Sequence, residues 1–346
     1  MITIMIAMSL SGCINPNSAG SETWTIMVYM SGDNDLSPFV TKNLDEMQSA
    51  GPSGGVNLLV LADQAGDSDS HLYKVWHKGL EDKGLLPIWL KRPDEASMGR
   101  SETLRSFLDW AMKNYTANHY LLVIWGHGSG WKGAAEDKDD WLNLSEMDAA
   151  LEGKKLDIIG FDACNMGSLE VYYELEGHAK YIVASEKKVP KAGWPYGPIF
   201  TKIKGKTPVS AGKMIVDEYV KAYSNGSRDA ENMSIVMALY QTATGLCEKF
   251  KAFTETMPVV NGSGALVFED KDCSDIRSII NDEKVGAAIK KITVAVGRWN
   301  NPGCTMNVDG ACGMAVYCPQ GGFDQAYNDI LMARETRWDE RISIPG

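Results

Sequence analysis

The chain has 346 residues, 44% of them apolar and 23% charged, which describes a globular protein large enough for one big core or two domains and excludes a disordered one. A net charge of −11 and a pI near 5.0 argue against nucleic acid as a partner, because phosphate binding calls for clustered Lys and Arg. The seven cysteines form no Cys-x-x-Cys pair and have no close His cluster, so no metal centre is expected.

At the N-terminus, residues 2–10 form an apolar segment far shorter than the ~20 residues that cross a bilayer as a helix. The segment reads as the end of an export signal over 1–12. Leu10-Ser11-Gly12-Cys13 resembles a bacterial lipobox, although no Lys or Arg precedes it. Cys13 would then be the lipidated first residue, followed by a polar tether to residue 23 that holds the protein at the bacterial cell envelope. Membrane contact is expected only through this anchor; without it the protein is secreted.

Trp24 to Met30 and Val56 to Ala62 read as strands, with a helix over Ser37 to Ala50 between them that carries Pro38 in its first turn and Gly51 past its end. The resulting β-α-β unit makes the strands parallel through a right-handed crossover. Leu72 to Trp76 and Leu85 to Leu90 read as an antiparallel pair, and Ser101 to Tyr115 has the apolar spacing of a half-buried helix. The apolar run Tyr120 to Trp125 follows and stops at Gly126-His127-Gly128-Ser129-Gly130. Ser145 to Leu151 is a helix opened by a Ser145-x-x-Asp148 capping pattern. A second apolar run, Leu156 to Phe161, leads through Asp162 to Cys164 and into a helix from Ser168 to Leu175.

His127 and Cys164 therefore sit just past two strand ends, the parts of a thiol nucleophile and its proton partner. The start of a helix close behind Cys164 would favour the thiolate. Glycines around His127 leave room for a substrate backbone. Further on, Lys180 to Glu186 and Ser234 to Leu239 read as strands, and Thr207 to Tyr223 and Gly245 to Met257 as helices. Ser274 to Asn281, Glu283 to Arg298 and Phe323 to Glu340 read as helices, with Met314 to Cys318 a last strand. One disulfide among Cys304, Cys312 and Cys318 is compatible with export.

Four blocks carry a specific resemblance: Trp24 to Leu36, Trp-Gly-His-Gly-Ser-Gly-Trp over 125–131, Phe-Asp-Ala-Cys-Asn-Met-Gly over 161–167, and Trp194-Pro195-Tyr196. Together they resemble the clostripain family of cysteine peptidases. The resemblance implies a caspase-like α/β fold, with a mostly parallel central sheet flanked by helices on both faces and a mainly helical C-terminal extension. The division expected is a catalytic core over 24–232 and a subdomain over 233–346 that completes the sheet and braces the core.

The implied activity is a cysteine endopeptidase working through an acyl-thioester. Cys164 is its nucleophile, His127 its acid and base, and the backbone N–H groups of Gly128 and Cys164 hold the oxyanion. Family members typically cleave after Arg or Lys. Asp162 is the candidate carboxylate because strand alternation puts it on the side of Cys164, a structural carboxylate capping the next helix being the other reading. Trp194 and Tyr196 would help bind substrate, and Ala192 stands where many relatives carry a second acid.

Relatives are often activated by self-cleavage between the two strands, where Lys138 within Glu136 to Asp140 is the candidate site. The same acidic run could instead hold Ca²⁺, although it lacks EF-hand ligand spacing; no cofactor is required. The partner is a peptide or protein substrate. The reading from another class is a catalytically idle surface lipoprotein that uses the fold as a binding module.

Overall fold

The structure, a computed structural model, describes residues 22–342 apart from 53, 84–89, 93, 94, 139, 261–263 and 269–271. The export signal, Cys13 and most of the tether lie outside the described residues. So does most of the strand expected at Leu85 to Leu90; the strand His71–Trp76 turns instead at His77-Lys78 and pairs with Gly79–Asp82.

A nine-stranded sheet runs through the molecule in the order Thr293–Trp299, Ile235–Gln241, Ala179–Ala184, Leu156–Asp162, His119–Trp125, Trp24–Ser31, Val56–Asp63, His71–Trp76, Gly79–Asp82. The five strands from Ala179–Ala184 to Val56–Asp63 are parallel, and those beyond them at either edge are antiparallel. Parallel strands need both faces covered, and all eight residues of Trp24–Ser31 are buried.

Strand alternation divides the apolar side chains between two cores. Met27, Tyr29, Leu122, Ile124, Ile159 and Phe161 face the helices Ser101–Asn114, Leu144–Leu151 and Leu169–Leu175. Ile26, Val28, Leu121, Val123, Trp125 and Ile158 face the helices Ser37–Ala50, Tyr196–Lys202 and Pro208–Ser224. The sheet is thus a rigid floor with helices on both sides, as the resemblance implied.

The second half departs from the sequence reading in three places. Glu283 to Arg298 is a helix only to Ile292; Thr293–Trp299 is an edge strand, where Thr-Val-Ala-Val alternation overrides the helical spacing. Ser274 to Asn281 becomes a short strand, Cys273–Asp275, and one helical turn capped by the Asp275 side chain. That strand pairs with Ala315–Tyr317, apart from the main sheet. Phe323 to Glu340 breaks into Gln325–Asp329, Leu331–Glu335 and Trp338–Arg341, because buried Glu170 takes the Tyr327 hydroxyl and Glu174 the Leu331 N–H. Among the described residues no helix is long and apolar enough to cross a membrane. Among the described residues no disulfide forms, at Cys304, Cys312 and Cys318 or elsewhere.

Candidate active site

His127 and Cys164 are delivered by neighbouring parallel strands whose register pairs Trp125 with Asp162. Each lies two residues past its strand's last paired position, so the two leave the sheet side by side from strands ~4.8 Å apart. Gly128 makes the close approach feasible. A Cβ there would collide with the Cys164 carbonyl oxygen and lie 2.9 Å from the Ala163 Cβ. Gly128 also faces Ala134 in an antiparallel bridge made by its neighbours, Ala135 N–H to His127 O (2.9 Å) and Ser129 N–H to Gly133 O (2.9 Å). In such a pair the central residue's own N–H points away from the partner strand.

The nucleophile loop is fixed from behind. Asn165, left-handed at φ 61°, donates its N–H to Lys187 O (3.1 Å), and Gly167 donates to Ser185 O (2.7 Å). The helix behind it begins only at Leu169, after Ser168 caps it. That corrects the expected dipole support, which fades within a helix's first turn. A different group meets the sulfur: the Val189 N–H donates to Cys164 Sγ at 3.3 Å, and Cys164 Sγ lies 3.7 Å from Val189 O, so the side chain is held against that residue's backbone.

The imidazole has partners that the sequence did not assign. His127 Nε2 lies 2.6 Å from Asp35 Oδ1 and 3.9 Å from Glu136 Oε2. Asp35 Oδ2 accepts from Lys191 Nζ at 2.9 Å. The Lys191 and His127 hydrogen bonds, in that order, hold the Asp35 carboxyl below the usual carboxylate range. The available signal was topological: the strand ending at Ser31 pairs directly with the His strand, so its outgoing loop must pass His127.

Between these groups opens a cleft of about 530 Å³, lined by Leu36, His127, Gly128, Asp162, Cys164, Val189, Lys191 and Glu231 among others. Asp162 forms its floor and is 4% exposed. Its Oδ2 accepts from the Trp194 backbone N–H (2.9 Å) and the Tyr196 hydroxyl (2.7 Å), whereas buried Oδ1 has no hydrogen-bond partner among the described residues. Burial pushes the carboxyl up to about 6 despite those bonds. The helix ahead is capped by Ser168, not by Asp162. Trp194 and Tyr196, expected to touch substrate, are fully buried behind the carboxylate and orient it. Ala192 sits in the same loop, its carbonyl held by Arg228, which also pairs with Glu46.

Lys138 lies in the tight turn joining Ala134–Asp137 to Asp140–Leu142, itself left-handed at φ 55°. Its ammonium is 2.7 Å from both Asp33 Oδ2 and Glu95 Oε1, which raises its pKa. Oxygens of Asp33, Asp63 and Asp137 gather there within 4.8 Å of one another. The acidic run therefore belongs to a hairpin, with Asp137 among carboxylates spaced closely enough to hold a cation and Lys138 supplying a positive charge beside them. The helix after it is capped by Asn143 with Glu146, not by Ser145 with Asp148, because Asn143 is the residue that precedes the first turn.

A family model described as the clostripain family matches residues 28–295, both cleft residues included. Clostripain of Hathewaya histolytica is 31% identical over 228 residues, a match covering 54% of this chain and 43% of that protein. The chain therefore matches less than half the length of that relative. A secreted cysteine protease of Bacteroides thetaiotaomicron, solved with an irreversible peptide inhibitor, is similar at a TM-score of 0.75 and 21% identity, over 92% of this chain and 100% of that one. An inactive zymogen protease from Parabacteroides distasonis is similar at a TM-score of 0.73 and 20% identity, over 92% and 99%. At those identities the two solved structures bear on the fold alone.

Proposed function

Because the chain belongs to the clostripain family of cysteine peptidases, we propose that it is an endopeptidase that cleaves after Lys or Arg through an acyl-thioester. The observation that supports this reading is the pairing of Trp125 with Asp162, which brings His127 and Cys164 to the lining of one cleft. In the proposed cycle the Cys164 thiolate attacks the scissile carbonyl, and the oxyanion sits against the N–H groups of Gly128 and Cys164. As the C–N bond breaks, His127 gives its proton to the leaving amine. Water then attacks the thioester, His127 takes the water's proton, and the acid leaves with the thiolate regenerated.

Asp162 supplies the P1 preference. A substrate cation reaching the floor of the cleft would approach the Asp162 carboxyl, which has one oxygen without a hydrogen-bond partner among the described residues, and a buried unpaired charge is costly for either side. No second carboxylate is offered by Ala192, so the preference rests on this one oxygen pair. Rates on peptides that differ only at P1 test the reading: Lys and Arg should exceed norleucine at least about tenfold, which corresponds to ~1.4 kcal/mol. Equal or faster cleavage after Glu would overturn the assignment.

The reading uses protein groups throughout, so chelation by EDTA should leave the rate unchanged. Self-cleavage after Lys138 would require its ammonium to leave Asp33 and Glu95 and the hairpin to open. A Lys138→Met chain that still matures into two fragments would rule that site out. Export with a lipid on Cys13 completes the proposal, supported by the lipobox pattern; labelling by a fatty-acid analogue that survives Cys13→Ser would refute it.

A further inference from the structure

An exposed Asp beside an exposed His is in most proteins a weak surface ion pair worth 0–1 kcal/mol. The Asp35–His127 contact differs in how it is held. Asp35 is 59% exposed at its side chain, yet both of its neighbours are anchored. Asn34 donates to Glu136 O at 2.9 Å and accepts the Leu36 N–H at 2.9 Å, and Leu36 itself is buried at the start of the helix Ser37–Ala50. The carboxylate is committed at both oxygens, Oδ1 to His127 and Oδ2 to Lys191 across the cleft. Lys191 is in turn fixed by its N–H to Glu231 Oε2 at 3.1 Å. Two contacts, one on each oxygen, hold the carboxylate against the ring more firmly than one would.

An ionised carboxylate accepts only, so the 2.6 Å contact puts the proton of neutral His127 on Nε2. Nδ1 is then the nitrogen left to take up a proton. We propose that Asp35 is the positioning residue of the acid–base group: it fixes the tautomer and plane of His127, and through Lys191 it ties that setting to the opposite wall of the cleft. When Nδ1 takes a proton, the carboxylate also faces the imidazolium that forms, with Glu136 the next anion at 3.9 Å and Lys191 and Lys188 the cations on the rim. The inference rests on the peptidase reading above, and it adds a residue that the family's two-residue pattern does not include.

The test is a comparison of wild type with Asp35→Ala on Lys-P1 and norleucine-P1 peptides, with active sites counted by a Lys-P1 chloromethyl ketone and folding followed by thermal melting. General acid–base groups contribute about 10²–10⁴-fold, and losing their orientation should remove part of it. We expect kcat to fall roughly 10- to 100-fold, equally for both peptides, with KM within about twofold. Unchanged kcat, or a loss confined to KM, overturns the inference. Asp35→Ser, which keeps a small polar side chain in the turn, is read by the same criteria should the alanine variant melt early. A wild-type protein that neither labels nor turns over refutes the peptidase reading instead, so the two failures are told apart.

Discussion

The floor and the rim of the cleft each carry a carboxylate, and the two are set in opposite ways. Asp162 at the floor is buried, has one oxygen without a partner, and is pushed up to about 6 by desolvation. Asp35 at the rim is exposed, is bonded at both oxygens, and is pulled down by Lys191 and His127. A carboxylate with an unmet demand is suited to recruit a cation from a ligand; one whose demands are met is suited to hold a neighbour still. Position relative to water, more than residue type, divides the two tasks.

Substitutions can break that division. The largest effect is expected at the backbone between floor and rim: Gly128→Ala drives a methyl into the Cys164 carbonyl and displaces the proposed oxyanion donors. Its kcat should fall about 10²–10³-fold for every P1 residue. Asp162→Asn should act next, lowering kcat/KM for Lys-P1 about 100-fold while norleucine-P1 stays within about threefold, since unpairing a buried charge costs 2–5 kcal/mol. Uniform loss on both peptides would erase the distinction between floor and rim.

The pH dependence sharpens the same contrast. Asp162 binds a proton as pH falls through about 6, and the neutral carboxyl no longer offsets a P1 cation. The ratio of Lys-P1 to norleucine-P1 rates should therefore be full above that pH and drop about tenfold per unit below it, any titration common to both peptides cancelling in the ratio. A flat ratio from pH 7 to 5 would contradict the assignment. The smallest effect belongs outside the cleft. Lys138→Met leaves Asp33 and Glu95 without their ammonium and should cost about 1–3 kcal/mol in urea unfolding, leaving the P1 ratio unchanged.

Much of this was legible in the chain itself, for identifiable reasons. The runs Tyr120 to Trp125 and Ile158 to Phe161 are apolar on both faces and short, which suits buried strands, and the polar residues just past them then emerge at one sheet edge. Alternation alone put Asp162 near Cys164. What failed depended on contacts between distant segments. Asp35 meets His127 because two strands are neighbours, which spacing along one chain does not encode. Trp194 and Tyr196 sit in a block that pointed to the site, but only packing shows them behind Asp162 and not in the cleft. Thr293–Trp299 carries helical spacing as well as strand alternation, and the open edge of Ile235–Gln241 decides between them.

The central claim is that Cys164 is a poised nucleophile beside His127 with a cation-seeking carboxylate beneath. Its most direct measurement is covalent labelling by a Lys-P1 peptidyl chloromethyl ketone, read by peptide mass spectrometry. The account predicts one adduct, on Cys164, lost in Cys164→Ala and slowed about 100-fold in Asp162→Asn relative to an uncharged-P1 reagent. Labelling spread over several cysteines, or an adduct on Cys164 formed as fast by a Glu-P1 reagent, would contradict it.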